Sequence, residues 1–202
     1  MPTIRLTPST NYRSNGTYLQ LTDVNNMYAN TDSSTYGYVT NTRTGTTAYW
    51  FYLQGFNFSS IPNNAIVNSF SIKVKCYGSG ISVSSTYRPR LANNTTLLEG
   101  TCGNISTNVG TYTFADLTDD WDTIKSYGQK FGIRLSCRRS ASNTTGYLYV
   151  YGAEILVDYT IPSPVRLKHN GSWITPTKLL VKSGGSWKEA SGIKAKSGGS
   201  WH

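Results

Sequence analysis

Charge, histidine, cysteine and long apolar runs are all scarce in this chain, and each shortage closes a class of function. Only 14% of the 202 residues are charged. The two histidines are His169, beside an Asn-Gly turn, and His202, the last residue, so neither a triad nor a histidine-built metal centre has its material. The three cysteines, Cys76, Cys102 and Cys137, form no CxxC pair and have no histidine at zinc spacing. Cys76 and Cys137 fall at inward positions of alternating segments, where a free thiol packs as a small hydrophobe. No disulfide is expected, although spacing alone leaves a Cys76–Cys137 pairing open.

No segment is apolar for long enough to cross a bilayer, and the opening MPTIRLTPSTNY has no signal-peptide core. The expectation is a protein made in a cytoplasm, without membrane insertion, that reaches the exterior by lysis or within a particle. A GxxxxGK[ST] loop, a GxGxxG fingerprint and an RNA-binding aromatic signature are all missing, so no nucleotide or nucleic-acid partner is expected. Carboxylates are few as well, and Asp116, Asp119, Asp120 and Asp122 read as helix-start residues rather than as a glycosidase pair. Calcium has two candidate groups, Asp119 with Asp120 and Asp122, or Asp23 with Asp32, but neither has the spacing of a calcium loop, and capping explains them better. The chain therefore reads as a non-enzyme without cofactor or metal.

What is abundant is tyrosine, 15 residues, together with Thr, Ser, Asn and Gly. That is the composition of short strands joined by polar turns. The clearest strand is Phe70 to Tyr77, where Phe70, Ile72, Val74 and Cys76 share one face and Ser71, Lys73, Lys75 and Tyr77 the other. Ile61-Pro62-Asn63-Asn64 turns into it from an aromatic strand, Tyr49 to Phe58. Phe131, Ile133, Leu135 and Cys137 repeat the alternation, and Tyr147 to Tyr159 is a last long strand bent at Gly152. Thr3 to Leu6, Tyr18 to Thr22, Ile81 to Val83, Thr95 to Thr101 and Val109 to Phe114 are shorter strands, and Asn11 to Thr17 reads as a turn. Thr35 to Thr40 is expected to pair with Ala48 to Phe58 as a hairpin across Gly45, and Pro89 argues for an edge position for the strand Tyr87 to Leu91. One helix is expected, capped by Thr118 and stopped by Gly128. The fold class is all-β: a two-sheet, jelly-roll-like sandwich over residues 1–159, followed by a small repeated tail over 160–202.

The tail divides into TIPSPVRLKHNGSW, ITPTKLLVKSGGSW and KEASGIKAKSGGSW, three repeats of 14 residues. Trp173, Trp187 and Trp201 recur at one phase; so do Lys168, Lys182 and Lys196, and the apolar set Val165, Leu179 and Ile193. Asn170-Gly171, Gly184-Gly185 and Gly198-Gly199 are two-residue hairpin signals. Residues 160–202 also supply +6 of the formal net charge of +9, against +3 for the rest. These lysines either guard the edges of a small ribbon or meet an anionic partner. Hairpins this small bury little alone, so Trp173, Trp187, Trp201, Lys168, Lys182 and Lys196 are the candidate assembly residues.

For ligand binding, the aromatics on expected strands are the candidates: Tyr36, Tyr38, Tyr49, Trp50, Tyr52, Tyr147, Tyr149 and Tyr151. Aromatic platforms edged with Asn, Asp and Arg suit neutral glycans, while period-2 aromatics also serve simply as core or as sheet-face ladders.

The order of three motifs resembles a β-sandwich module of tailed-bacteriophage structural proteins, also found in some bacterial surface proteins. The motifs are the GFNFSSIPNNAI corner at Gly55 to Ile66, the FGIRL strand at Phe131 to Leu135 and the closing VDY at Val157 to Tyr159. The tail is similar to the short K-x-x-G-x-W repeats that end many phage tail and fibre proteins. The resemblance implies a virion protein of the tail tip, baseplate or fibre, assembled in the host cytoplasm, with other virion proteins as partners and host cell-wall glycan as ligand. A homo-oligomer is implied too, with a trimer as the usual symmetry of fibres. A capsid decoration or head-fibre protein with purely structural contacts is the alternative. The resemblance carries no catalytic set.

Overall fold

The computed structural model describes residues 2–43, 47–81, 88–141, 144–162, 167–174, 180–189, 196–197 and 200–201. The chain divides into two compact units, Met1–Ile161 and Pro162–His202.

The first unit is an all-β sandwich. Its strands are β1 (Thr3–Leu6), β2 (Thr10–Arg13), β3 (Leu19–Thr22), β4 (Gly37–Asn41), β5 (Trp50–Gln54), β6 (Ile66–Ser79), β7 (Arg90–Ala92), β8 (Leu97–Thr101), β9 (Gly110–Thr113), β10 (Gly132–Ser136) and β11 (Gly146–Thr160). One sheet has the order β3-β4-β11-β6-β9, with β1 paired to the far half of β11; the other has the order β2-β5-β10-β7-β8. From β4 to β11, then, successive strands occupy positions that place first, eighth, third and sixth in one sheet and second, seventh, fourth and fifth in the other. That is jelly-roll connectivity, two interleaved Greek keys.

Period-2 alternation sends one face of each sheet into a shared core, which the second sheet covers. On β6, Phe70, Ile72, Val74 and Cys76 are buried as their alternation predicts, opposite Phe51, Leu53, Ile133 and Leu135 of the second sheet's inner face. At one end of the sandwich the corner after β5 plugs the core. Gly55 takes φ +78°, and a Cβ there would lie 2.5 Å from the Ser9 hydroxyl oxygen, so only glycine fits. Phe56 and Phe58 then pack against Phe131 at 6.4 and 5.9 Å between ring centroids, and Trp121 stands edge-on to Phe58 and Phe70 at 5.6 and 5.9 Å. Trp121 opens the one α-helix among the described residues, α1 (Trp121–Tyr127), which buries Ile124 and ends at Gly128 with φ +55°.

Several local expectations are corrected. The segments around β4 and β5 do not form a hairpin: they lie in different sheets, because jelly-roll connectivity passes consecutive strands across the core. The Gly45 turn itself lies outside the described residues. Asn11 to Thr17 is not all turn, since Thr10–Arg13 pairs with β5. The strand after Pro89 is interior, flanked by β10 and β8; the proline sits just before it and removes no ladder hydrogen bond. Of the short strand expected at 81–83, Ile81 makes one isolated bridge to Arg139 and the rest lies outside the described residues. Thr118 does not cap the helix. Its hydroxyl and its N–H both donate to the Asp116 carboxylate, at 2.5 and 3.0 Å, and these bonds hold the Asp116 pKa below the usual carboxylate range.

The Cys76 and Cys137 thiols are buried and Cys102 is half-buried; all three are free. Burial raises the Cys76 thiol above its ordinary value and pushes Cys102 and Cys137 up to about 12. Cys137 sits 3.7 Å from the Val39 carbonyl and 3.6 Å from that of Gly146.

Among its described residues the second unit holds three two-stranded ribbons: β12 (Leu167–His169) with β13 (Ser172–Ile174), β14 (Leu180–Ser183) with β15 (Ser186–Glu189), and β16 (Lys196–Ser197) with β17 (Ser200–Trp201). Asn170, Gly171, Gly184 and Gly185 all have positive φ, as a two-residue hairpin turn of the primed type requires. Gly198, Gly199, Val165, Leu179 and Ile193 lie outside the described residues.

Candidate functional site

The outer face of the first sheet is paved with tyrosine. Parity puts Tyr147, Tyr149 and Tyr151 of β11 on the side away from Leu148 and Val150, and β11 lies between β4 and β6 there. The register then sets Tyr149 directly opposite Tyr38 on one flank and Tyr77 on the other. Tyr36 enters from the residue before β4. Tyr77 and Tyr149 stack with centroids 4.5 Å apart and planes 7° from parallel. Tyr36 stands edge-on to Tyr149 and Tyr151, each at 5.3 Å, and Tyr38 contacts Tyr149 at 5.6 Å and Tyr147 at 5.9 Å. At the far end the Lys75 ammonium lies 5.0 Å from the Tyr151 ring centre and donates to the Ser33 carbonyl at 2.9 Å.

Six rings thus form one continuous surface. Tyr36 is its most open member, at 41% exposure, and the other five are half-buried against one another. Thr40 and Ser79, opposite Tyr147, continue the face with hydroxyls. Burial raises the pKa of Tyr77 and of Tyr149, with the neighbouring tyrosines adding to it, so both phenols are neutral hydrogen-bond donors at neutral pH.

A bulge places these rings. Register shifts between Val150 and Gly152, where a Cβ would fall 2.3 Å from the Ala29 carbonyl oxygen and 2.5 Å from that of Asn30. The next N–H, from Ala153, donates to the same Ala29 carbonyl at 2.9 Å. Beyond the bulge the outward position is taken by Glu154, which is buried: its Oε1 accepts from Thr31 at 2.8 Å, and its Oε2 lies 3.4 Å from Arg5, which also pairs with Asp32 at 2.7 Å. The tyrosine face ends there.

The remaining candidate aromatics lie elsewhere. Tyr49 belongs to the core margin, stacked on Tyr18 at 5.5 Å with the Arg43 guanidinium over both rings. Trp50 and Tyr52 are on the outer face of the second sheet, where Arg134 lies 4.3 Å over the Trp50 ring. Tyr52 is buried, donates to the Asn94 carbonyl at 3.0 Å and meets the open Tyr12 ring edge-on at 5.4 Å. Five of the eight predicted aromatics therefore come together. Tyr77 was absent from the predicted set, although its parity with Lys73 and Lys75 marks it as outward-facing.

In the tail the strand register pairs the repeated phases: Lys168 with Trp173, Lys182 with Trp187 and Lys196 with Trp201. In the second ribbon Leu180, Val181 and Trp187 are 54%, 51% and 67% exposed, a large apolar area for ten residues.

Among the described residues no three His, Cys, Asp or Glu side chains converge as metal ligands. A cleft of about 280 Å³ beside α1 is lined by Phe56, Phe58, Ser59, Asn63, Lys125 and Gln129, with no carboxylate or histidine. No family model matches the chain, and no curated protein matches it in sequence.

Proposed function

We propose that the protein is a non-enzymatic bacteriophage virion protein of the tail tip, baseplate or fibre, which helps attach the particle to the host surface by holding neutral glycan on its tyrosine face. The observation that carries this reading is the six-ring surface itself. Pyranose rings present apolar C–H faces that settle on aromatic planes, while their hydroxyls need neutral donors and acceptors at the margin. Phenols, Thr40 and Ser79 supply those, and on the paved part of the face the single charge is Lys75 at one end. A flat, open face binds each saccharide weakly, and many copies on one particle multiply the effect through effective concentration.

The motif order supports the virion assignment, and the tail supports an anchoring role. Ribbons that leave Leu180, Val181 and Trp187 in water suit docking against other virion proteins or copies of the same chain. The head-decoration reading shares this tail contact and differs in needing no glycan.

Binding of the full chain to host cells and to a glycan array separates the two. Replacing Tyr36, the most open ring, by alanine is expected to weaken glycan capture at least fivefold in a protein that still folds, the lost edge contacts to Tyr149 and Tyr151 costing about 1–2 kcal/mol of stability. Failure of the unsubstituted protein to bind host cells, together with binding to empty capsids, overturns the attachment role.

A further inference from the structure

The outer face of the second sheet has a different chemistry from the tyrosine face. Residues paired across it run Tyr12 on β2, Tyr52 on β5, Arg134 on β10, Arg90 on β7 and Thr101 on β8. Arg134 and Arg90 are thus directly opposite on adjacent interior strands, an arrangement of like charges that destabilises a sheet unless something offsets it. Among the described residues no carboxylate lies within ion-pair distance of either. The Arg90 Nε is buried without a hydrogen-bond partner, and so is that of Arg88, two residues earlier. Glu99 lines the same depression as Arg90, of about 400 Å³, but makes no ion pair with it.

The Arg134 guanidinium is held in place. Its central carbon lies over Trp50, 4.3 Å from the ring centre, and the group touches the Tyr52 hydroxyl. The loop after β7 reaches over β10 to β5, where Asn94 accepts from Tyr52 and from Gln54; the strand it crosses carries Gly132 at that point, opposite both Gln54 and Ala92. Arg134 and Arg90 are both partly exposed beside that loop. Tyr12, at 42% exposure, provides a bare ring about two strand spacings, or roughly 10 Å, from Arg134.

We infer that this face is a second binding site, for a phosphate-bearing polysaccharide, with Arg90 and Arg134 gripping one phosphodiester and Tyr12 receiving a neighbouring sugar ring. Two opposed forks favour phosphate over carboxylate. Donors to a carboxylate gather near its plane, where one guanidinium already takes both oxygens, whereas the two free oxygens of a phosphodiester sit on a tetrahedral centre and accept from a second guanidinium out of that plane. The aromatic partner favours a sugar-phosphate polymer over a simple anion. The site uses the opposite sheet from the proposed neutral-glycan face and does not depend on it.

The test uses the full chain and immobilised phosphomannan, a polymer of phosphodiester-linked mannose, at about 0.1 M salt. Unphosphorylated mannan, polygalacturonate and a single-stranded oligothymidine serve as comparisons. The unsubstituted protein is expected to prefer phosphomannan, and R90Q/R134Q to raise Kd at least tenfold and flatten its salt dependence. Tyr36→Ala, on the other sheet, is expected to change this Kd less than twofold, so that failure of either site is read separately. Unchanged binding by R90Q/R134Q assigns the polymer to the basic tail and overturns the site. Equal or tighter binding of polygalacturonate or oligothymidine overturns the ligand class. Should the double variant not fold, the arginine Nε–Hε NMR signals of the unsubstituted protein decide: two that shift with phosphomannan support the site, and none overturns it.

Discussion

If the tyrosine face is one preassembled surface, its rings must be energetically coupled, and the stacked pair Tyr77 and Tyr149 is where that is measured best. These rings are directly opposite on β6 and β11, 4.5 Å apart and 7° from parallel. Tyr149 also meets Tyr36, Tyr38 and Tyr147 at 5.3, 5.6 and 6.0 Å, so it is the hub. Truncating it to alanine uncovers roughly 100 Å² of apolar contact, about 2.5 kcal/mol at 25 cal/mol per Å². Loss of ring-pair terms adds about 0.5–1.5 kcal/mol. Tyr77→Ala should cost less, about 1.5–2.5 kcal/mol, since it has fewer ring neighbours. The informative quantity is the double-mutant cycle. Urea unfolding of Tyr77→Ala, Tyr149→Ala, the double variant and the parent is expected to give a coupling of about 1 kcal/mol. A coupling below about 0.3 kcal/mol, with the two losses simply adding, refutes the idea of a rigid platform and leaves six independent side chains.

Two further predictions concern stability. Gly152→Ala drives a Cβ to 2.3 Å from the Ala29 carbonyl, so the bulge must shift; a loss of about 2–4 kcal/mol is expected by denaturant unfolding, and a loss under about 0.5 kcal/mol would show that the 29–30 segment yields freely. Stability should also fall on the alkaline side. The folded pKa values of Cys76, Cys102, Cys137, Tyr77 and Tyr149 are all raised by burial, so the unfolded chain loses these protons first. Their contribution is intact below the unfolded values and is lost as pH rises, beginning near 8.5 for the thiols and steepening near 10 for the phenols. Urea midpoints measured from pH 6 to 10.5 check this, and a midpoint that climbs above pH 9 contradicts it.

Much of the sandwich was legible because its long strands are simple alternations. Phe70 to Cys76 and Phe131 to Cys137 announce their inward faces residue by residue, and Gly152 announces its bend. The edges were harder. TNYR of β2 has no apolar alternation, because an edge strand whose outward residues are Thr10 and Tyr12 needs none, so it reads as turn. Adjacency in the chain favours pairing β4 with β5, and nothing local reveals that the link between them crosses from one sheet to the other. The candidate site was half legible for the same reason. Period 2 says that Tyr147, Tyr149 and Tyr151 share a face, but which strands flank them depends on register, and so Tyr77 joined them while Trp50 and Tyr52 went to the opposite side. The arginine pair was invisible, since Arg90 and Arg134 are 44 positions apart and meet only through the β7–β10 ladder.

The pairing of β1 with the far half of β11 has a mechanical consequence. Thr3 lies opposite Asp158 and Leu6 opposite Ile155, and the Tyr159 N–H bonds the Pro2 carbonyl, so the first strand and the end of the last leave the sandwich side by side. Tension applied between Pro2 and Thr160 therefore loads this ladder one rung at a time, opening it from Thr3 toward Leu6 like a zipper and at low force. β1 thus peels away before the jelly-roll strands behind it are loaded, a sacrificial strap that yields ahead of the sandwich.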